Sequence, residues 1–116
     1  MPKSKLIPLP AAAFHILLAL ADEDLHGYAI MRSVSELTDG KVRMGPGTLY
    51  GSIRTLLEGR LIQEVGERAD SETGNERRRY YRLTPGGRRL ARSEAERLVA
   101  MVRLAQIKRF LKSAYV

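Results

Sequence analysis

Apolar residues recur three or four positions apart in three stretches of the first half of the chain, which is the spacing of one helix face. The stretches are residues 10–22, 26–38 and 46–58. Pro10 and Pro46 stand at first helical positions, where a missing N–H costs nothing, and Gly40 and Gly59 stand at helix ends. The pattern predicts three helices with core faces formed by Phe14, Leu17, Leu18 and Ala21, by Ile30, Val34 and Leu37, and by Leu49, Ile53, Leu56 and Leu57.

Alternation of apolar and polar residues replaces the helical spacing in the middle of the chain. Residues 61–67 and 78–84 are predicted to form two strands, the second with Tyr81 and Leu83 on its apolar face. The connection over residues 68–77 is polar and is typical of a mobile hairpin tip. A small β-hairpin is therefore expected after the third helix.

The last segment carries the longest helical pattern. Thr84 is a candidate N-cap, Pro85 a candidate first helical residue, and residues 88–113 are predicted to form one helix. About 25 residues at 1.5 Å each span close to 40 Å, more than the rest of so short a chain can cover. A second copy of the chain is therefore expected to cover it. The predicted dimer interface consists of Ala95, Leu98, Met101, Val102 and Ala105.

Composition limits the possible classes of protein. A chain of 116 residues with 44% apolar residues is expected to form one compact fold, here divided into residues 1–85 and a helical part, residues 86–116. The absence of cysteine excludes disulfides and thiolate metal sites and suits a reducing cytoplasm. The longest apolar stretch is too short for a membrane span, so no membrane contact is expected.

Charge is unevenly distributed along the chain. The net charge is +7, and residues 77–92 hold seven arginines and no acid, whereas acids concentrate in residues 22–39 and 64–76. Clustered arginine indicates a nucleic-acid binder, because its planar guanidinium suits phosphate and guanine edges. A merely solvated basic face is the alternative that charge alone leaves open.

The outer face of the third predicted helix is unusual. It carries Gly47, Gly51 and Arg54, with Thr48 and Tyr50 at its sides. Each exposed glycine inside a helix costs about 1 kcal/mol relative to alanine, so stability alone does not explain the two. Small residues let a helix backbone approach a groove closely. The order of three helices, a basic hairpin and a long helix predicts a mainly α winged helix-turn-helix with a long C-terminal dimerisation helix.

Four sequence motifs resemble the PadR family of bacterial transcriptional regulators. They are His26-Gly27-Tyr28, Pro46-Gly47-Thr48-Leu49-Tyr50, Leu56-Leu57-Glu58-Gly59-Arg60-Leu61-Ile62 and Arg79-Tyr80-Tyr81-Arg82-Leu83-Thr84-Pro85-Gly86-Gly87. The resemblance implies a winged helix-turn-helix and a C-terminal dimerisation helix, in proteins that are mostly repressors, some of them released by phenolic acids or drug-like ligands. It places Thr48 and Tyr50 on the recognition helix, Tyr28 at the start of the second helix, and residues 78–80 in the wing. Arg60 departs from the glycine of many members.

The candidate DNA-contacting residues come from three predicted elements. They are Tyr28, Gly47, Thr48, Tyr50, Arg54, Arg77, Arg78, Arg79 and Tyr80. For Tyr28 and Tyr50, packing between helices is the alternative to a phosphate contact. Glu94 and Glu96 are predicted to be solvated surface charges, and His15 a partly buried polar group. Neither a nucleophile motif nor a phosphate loop is present, so no enzyme activity, cofactor or metal is expected.

These observations predict a homodimeric, sequence-specific transcriptional regulator that binds double-stranded DNA at an inverted-repeat operator. We expect it to act as a repressor. Whether a small-molecule effector relieves the repression stays an open question at this point. One alternative is a winged-helix module that binds protein partners and no DNA. Another is a basic RNA-associated protein, although RNA readers usually present aromatic platforms, and aromatic residues make up only 6% of this chain.

Overall fold

The computed structural model describes residues 8–69 and 77–112. Four helices and three strands follow one another along the chain. They are α1 (Ala11–Ala19), β1 (Leu25–His26), α2 (Gly27–Leu37), α3 (Pro46–Glu58), β2 (Ile62–Ala69), β3 (Arg77–Leu83) and α4 (Pro85–Ile107). The predicted helices, hairpin and long final helix are all present, so the predicted winged-helix architecture is confirmed. The prediction of a mobile tip concerns a connection that falls mostly outside the described residues.

The sheet contains a strand that the sequence pattern did not predict. It is antiparallel, in the order β1-β3-β2, and the short β1 pairs Leu25 with Tyr81 and His26 with Tyr80. Two residues are too few to show any alternation, which explains why β1 was missed. Its effect is large, because it attaches the start of α2 to the hairpin.

The core lies where α1, α2 and α3 meet the base of the sheet. Its fully buried side chains are Ile16, Leu17, Ile30, Val34, Leu49, Leu56, Leu61 and Ile62. The predicted face of α3 is confirmed at Leu49, Ile53 and Leu56. The predictions for Leu18 and Leu37 are wrong, since these side chains are 45% and 62% exposed. Because α1 is apolar all round, its sequence pattern does not show which side faces inward.

Three helices end in the same turn with an unusual residue at its centre. Asp39, Arg60 and Arg109 have φ of 52°, 59° and 66° in the left-handed region that glycine normally occupies. The turn after α3 is typical: the Leu61 N–H donates to the Leu56 carbonyl at 2.9 Å and the Arg60 N–H to the Leu57 carbonyl at 3.0 Å. The left-handed position after α3 is therefore Arg60 rather than the predicted stop residue Gly59.

Replacing Arg60 by glycine is expected to stabilise the fold. A non-glycine residue in this conformation costs the folded state about 1–2 kcal/mol, and glycine removes this strain. Because glycine also makes the unfolded chain more flexible, about half of the stabilisation is lost again. The free energy of unfolding should rise by about 0.5–1 kcal/mol. Urea denaturation measures the change. The exposed Arg54→Gly substitution inside α3 is the control and should destabilise the protein; a less stable Arg60→Gly variant would contradict the strain.

The start of α4 is fixed by Thr84. Its hydroxyl accepts a hydrogen bond from the Gly87 N–H at 3.0 Å and donates to the Arg60 carbonyl at 2.8 Å, so the predicted N-cap is confirmed. The predicted end at Ser113 is wrong for the helix, which stops at Ile107. The left-handed residue Arg109 breaks the helical pattern there, and the Phe110 N–H closes the turn on the Ala105 carbonyl at 2.8 Å.

Glu94 corrects a further prediction. Its side chain is only 6% exposed rather than solvated, and Arg97 donates two hydrogen bonds to its two carboxylate oxygens at 2.9 and 2.6 Å. The Arg97 hydrogen bonds hold the pKa of Glu94 below its ordinary value against the opposing effect of burial, with a smaller contribution from the Leu9 backbone. Glu96, two positions along the helix, is exposed as predicted.

Candidate nucleic-acid interface

The outer face of α3 is open along its length. A Cβ atom added at Gly47 or Gly51 would meet nothing within 4 Å outside the helix itself, so both glycines leave a shallow, unobstructed surface. Thr48 in the first turn and Arg54 one turn beyond Gly51 are exposed on the same helix. Pro46 begins the helix, and Gly45 precedes it in an extended conformation. The predicted small-residue face therefore exists and nothing described covers it.

Tyr50 is held against the start of α2. A Cβ atom on Gly27 would lie 2.7 Å from the Tyr50 hydroxyl, so only glycine fits at that position with the ring where it is. The Tyr50 side chain nevertheless stays half-exposed, at 51%. Tyr50 therefore both packs against Gly27 and contacts solvent.

A β-bulge changes the direction of the hairpin. The register steps from Glu64 opposite Tyr81 to Glu67 opposite Arg79, so β2 holds one more residue than β3 across this interval. Gly66 lies in the bulge with φ of 105°, a conformation that side-chain-bearing residues rarely adopt. Bulges increase local twist, and the outer half of the hairpin is therefore set at its own angle to the base of the sheet.

Arg77 and Arg79 share the side of β3 that continues from buried Tyr81. Together with Tyr50, they line a cavity of about 260 Å³ between the hairpin and the helices. Both arginines are mostly exposed, and both lie near the Glu67 carboxylate on the facing strand, with N–O distances of 3.9 Å. The cationic part of the hairpin therefore faces the same cavity as the edge of α3.

Arg78 and Tyr80 belong to the opposite side of β3. The Arg78 guanidinium lies 5.9 Å from the centre of the Tyr28 ring, and Arg32 lies 5.4 Å from the same ring. Tyr80 is half-buried and carries Arg68 over its ring at 4.5 Å. Arg78 packs against α2 but also lines the cavity shared by Arg77, Arg79 and Tyr50, whereas Tyr80 packs against β1 and β2 and does not line it.

The ring of His26 contacts both Tyr28 and Tyr80. Its ring lies edge-on to Tyr80 at 5.3 Å and stacks on Tyr28 at 6.4 Å. Its Nδ1 accepts a hydrogen bond from the Ala29 N–H at 3.1 Å and so caps α2, which indicates the tautomer with an unprotonated Nδ1. Sequence reasoning missed this capping role, because histidine is not among the usual N-cap residues.

Asp24 neutralises the base of the sheet. It accepts two hydrogen bonds from Arg82, at 3.0 and 2.8 Å, and one from Arg68 at 3.0 Å. The two hydrogen bonds from Arg82, and after them the one from Arg68, hold the pKa of Asp24 below its ordinary value although burial opposes them. Arg88 is also engaged, donating to the Ala21 carbonyl at 2.8 Å. The run of seven arginines is therefore divided among several surfaces.

The surface formed by the outer face of α3 together with Arg77 and Arg79 is called the basic face below. By this definition it includes six of the nine predicted DNA-contacting residues, of which Tyr50, Arg77 and Arg79 line one cavity, while Gly47, Thr48 and Arg54 are exposed on α3. It presents a close-approach helix beside two guanidinium groups, which is chemistry for a polyanion with a groove. It also contains Glu67, which sequence reasoning assigned only to a general acidic stretch.

Among the described residues, no cluster of histidine and carboxylate side chains could hold a metal ion. None of the described helices combines the length and apolar character needed to cross a membrane.

Solved structures of other proteins have a similar fold. A transcriptional regulator from Clostridium thermocellum is 26% identical, with a TM-score of 0.70 over 86% of this chain and 92% of that one. PadR from Bacillus subtilis, solved in complex with operator DNA, is 18% identical, with a TM-score of 0.61 over 79% of this chain and 49% of that one. The second likeness shows the fold alone.

A sequence relative is the uncharacterised 37.1 kDa protein in transposon TN4556 of Streptomyces fradiae, 36% identical over 86 residues. The match takes in 74% of this chain but only 22% of that protein, so the chain spans a small part of the curated relative. The model of the transcriptional regulator PadR-like family matches residues 16–93, which include α2, α3 and the hairpin. The chain belongs to the PadR-like family of transcriptional regulators, which are not enzymes.

Proposed function

We propose that the protein is a homodimeric repressor that binds an inverted-repeat operator in double-stranded DNA. The observation that carries the proposal is the basic face: α3 has an unobstructed surface with two glycines, and its Tyr50 lines one cavity with Arg77 and Arg79. A stable monomer gains nothing from glycines there, whereas a helix that enters a groove needs a close approach of its backbone.

Each part of the basic face has a separate role in the proposed complex. α3 lies in the major groove. Thr48, in the first turn of α3, contacts the DNA, and Arg54 contacts a base edge or a phosphate. Arg77 and Arg79 lie on the phosphates beside that groove. Tyr28 is half-exposed at the start of α2, with the Arg78 guanidinium 5.9 Å from its ring centre, and in the proposed complex its hydroxyl donates to a neighbouring phosphate.

Dimerisation through α4 is supported by the apolar surface that the single chain leaves uncovered. Beyond buried Glu94, the predicted interface residues continue along the inward-facing side of the helix, with Leu98 and Met101 37% and 53% exposed. So much apolar side chain is unfavourable in water, and a second copy of the chain buries it in pairs.

Repression follows from occupancy of the operator, which excludes other proteins from the same DNA. Relief by a small-molecule effector, as the resemblance implies for part of the family, requires a ligand that binds one dimer geometry more tightly than another. A thermal-shift screen detects such a ligand, because binding to the folded state raises the unfolding temperature.

The test is a selection of bound fragments from random duplex DNA, followed by titration at several salt concentrations. The proposal predicts inverted repeats with half-sites about one helical turn, roughly 34 Å, apart. It also predicts that log K falls steeply with log salt, and that Arg79→Ala weakens binding to all duplexes alike. A protein that selects no sequence, or whose binding to duplex DNA does not depend on salt, contradicts the proposal, and a protein without affinity for duplex DNA favours a protein-interaction module.

A further inference from the structure

One acidic side chain lies within the cationic part of the basic face. Glu67 on β2 is directly opposite Arg79 in the register, and its two carboxylate oxygens lie 3.9 Å from Arg77 Nε and from Arg79 Nε. Arg77 also donates to the Glu67 backbone carbonyl at 3.0 Å, which keeps the two strands in register here. The carboxylate and both guanidinium groups are more than half exposed, so all three meet solvent.

We propose that Glu67 is a built-in counter-ion that competes with DNA phosphate for Arg77 and Arg79 and thereby limits the affinity for non-operator DNA. This inference rests on the proposed DNA-binding function. In the free protein, the carboxylate occupies the anionic position between the two guanidinium groups. In the complex, a phosphate of the DNA backbone takes that position.

The geometry suits exchange rather than a permanent ion pair. At 3.9 Å, neither Nε–oxygen contact is within hydrogen-bond distance, in contrast to the Arg82–Asp24 contacts of 2.8 and 3.0 Å at the base of the sheet. Exposed pairs of this kind are weak because water screens them. The hairpin therefore contains arginines that Asp24 neutralises tightly, Arg82 and Arg68, and two loosely neutralised ones, Arg77 and Arg79, that a stronger anion can take over.

The counter-ion also changes what DNA binding releases. An arginine that binds phosphate contributes to salt dependence through the counter-ions that leave the DNA, with a slope of about 0.9 per neutralised phosphate. When phosphate displaces the Glu67 carboxylate from these arginines, the carboxylate stays nearby. Its negative charge repels the phosphate and offsets part of the positive charge that the arginines present to the DNA. Removing that charge should strengthen binding to every duplex and steepen its salt dependence.

The experiment compares Glu67→Gln with Glu64→Gln on a random-sequence duplex and on the selected operator. Both variants lose one negative charge from β2, but Glu64 is opposite Tyr81 and forms no ion pair with a described residue. Glu67→Gln is expected to bind random duplex about three- to ten-fold more tightly than the parent, with a salt slope steeper by up to about one unit. Glu64→Gln should gain less than half of that increase on a logarithmic scale.

A double-variant comparison shows whether Glu67 acts through the arginines. Arg77→Ala and Arg79→Ala together should cost more affinity in the Glu67→Gln background than in the parent, because the arginines are no longer shared. Equal affinities for Glu67→Gln and Glu64→Gln, or identical costs in both backgrounds, would overturn the inference while leaving DNA binding intact. A parent protein without salt-dependent DNA binding would instead remove the proposed function. Thermal unfolding of each variant separates these effects from loss of fold.

Discussion

Replacement of Gly87 by alanine is expected to destabilise the protein by on the order of 3 kcal/mol or more, because its new methyl group has no space. The added Cβ would overlap the Leu61 carbonyl oxygen and lie 2.8 Å from Leu83 Cδ1. Leu61 is buried and its carbonyl accepts the Thr84 N–H at 3.1 Å, so neither the strand nor the helix can move aside without breaking the junction between α3, the sheet and α4.

Gly86→Ala is the matched control for this substitution. A Cβ there meets Arg89, Thr84 and the Arg60 carbonyl only at 3.7–3.9 Å, which is ordinary van der Waals contact. Alanine in the first turn of a helix should stabilise it by about 0.5–1 kcal/mol. Calorimetry measures both variants, and the Gly87→Ala protein should melt more than about 10 °C below the parent. Similar melting temperatures for the two variants would show that α4 does not approach Leu61 so closely.

Replacement of Leu98 by lysine should separate the proposed dimer. In the single chain, Leu98 is already 37% exposed, so the substitution leaves the protomer fold nearly unchanged. In the dimer, two symmetry-related copies would each bury a charge in an apolar interface, where an uncompensated charge costs several kcal/mol. The dimer dissociation constant should rise by at least about 100-fold, and operator affinity should fall with it, since a monomer engages one half-site.

Val99→Lys is the control for the dimer prediction. Val99 is the next residue along α4 and is 36% exposed, but it lies about 100° around the helix from Leu98 and outside the predicted interface. Analytical ultracentrifugation of both variants across a range of concentrations gives the two dissociation constants. A Leu98→Lys protein that remains dimeric, or a Val99→Lys protein that dissociates equally, would place the dimer interface elsewhere.

The sequence predicted the parts of the fold in which periodicity is long and one-sided. α3 is the best case, because Leu49, Ile53 and Leu56 form a clear stripe and a polar, glycine-containing face lies opposite. α1 was predicted as a helix, but its predicted inward face was wrong at Leu18, since apolar residues occur on nearly every side of this helix. The end of α4 was placed too late, because nothing in side-chain periodicity shows that Arg109 would adopt a left-handed conformation.

The candidate site was predicted as a set of residues rather than as an arrangement. Seven arginines within residues 77–92, without an acid among them, suggested one cationic surface, but pairing across strands brings Glu67 between Arg77 and Arg79 and Asp24 onto Arg82. Such pairs depend on register and on the bulge at Gly66, which local sequence patterns do not specify. Alternation along β3 explains why Tyr80 does not line the cavity of Arg77 and Arg79, although the long side chain of Arg78 does reach it.

The most direct test of the account compares operator binding by Arg54→Ala and Arg103→Ala. Both residues are exposed arginines, but Arg54 lies on the outer face of α3 and Arg103 on α4. If α3 reads DNA, Arg54→Ala should lose at least about tenfold in operator affinity and discriminate less between operator and random duplex, as expected for loss of a base contact. Arg103→Ala should stay within about twofold of the parent. An Arg54→Ala protein that binds its operator as tightly and as selectively as the parent would contradict the account.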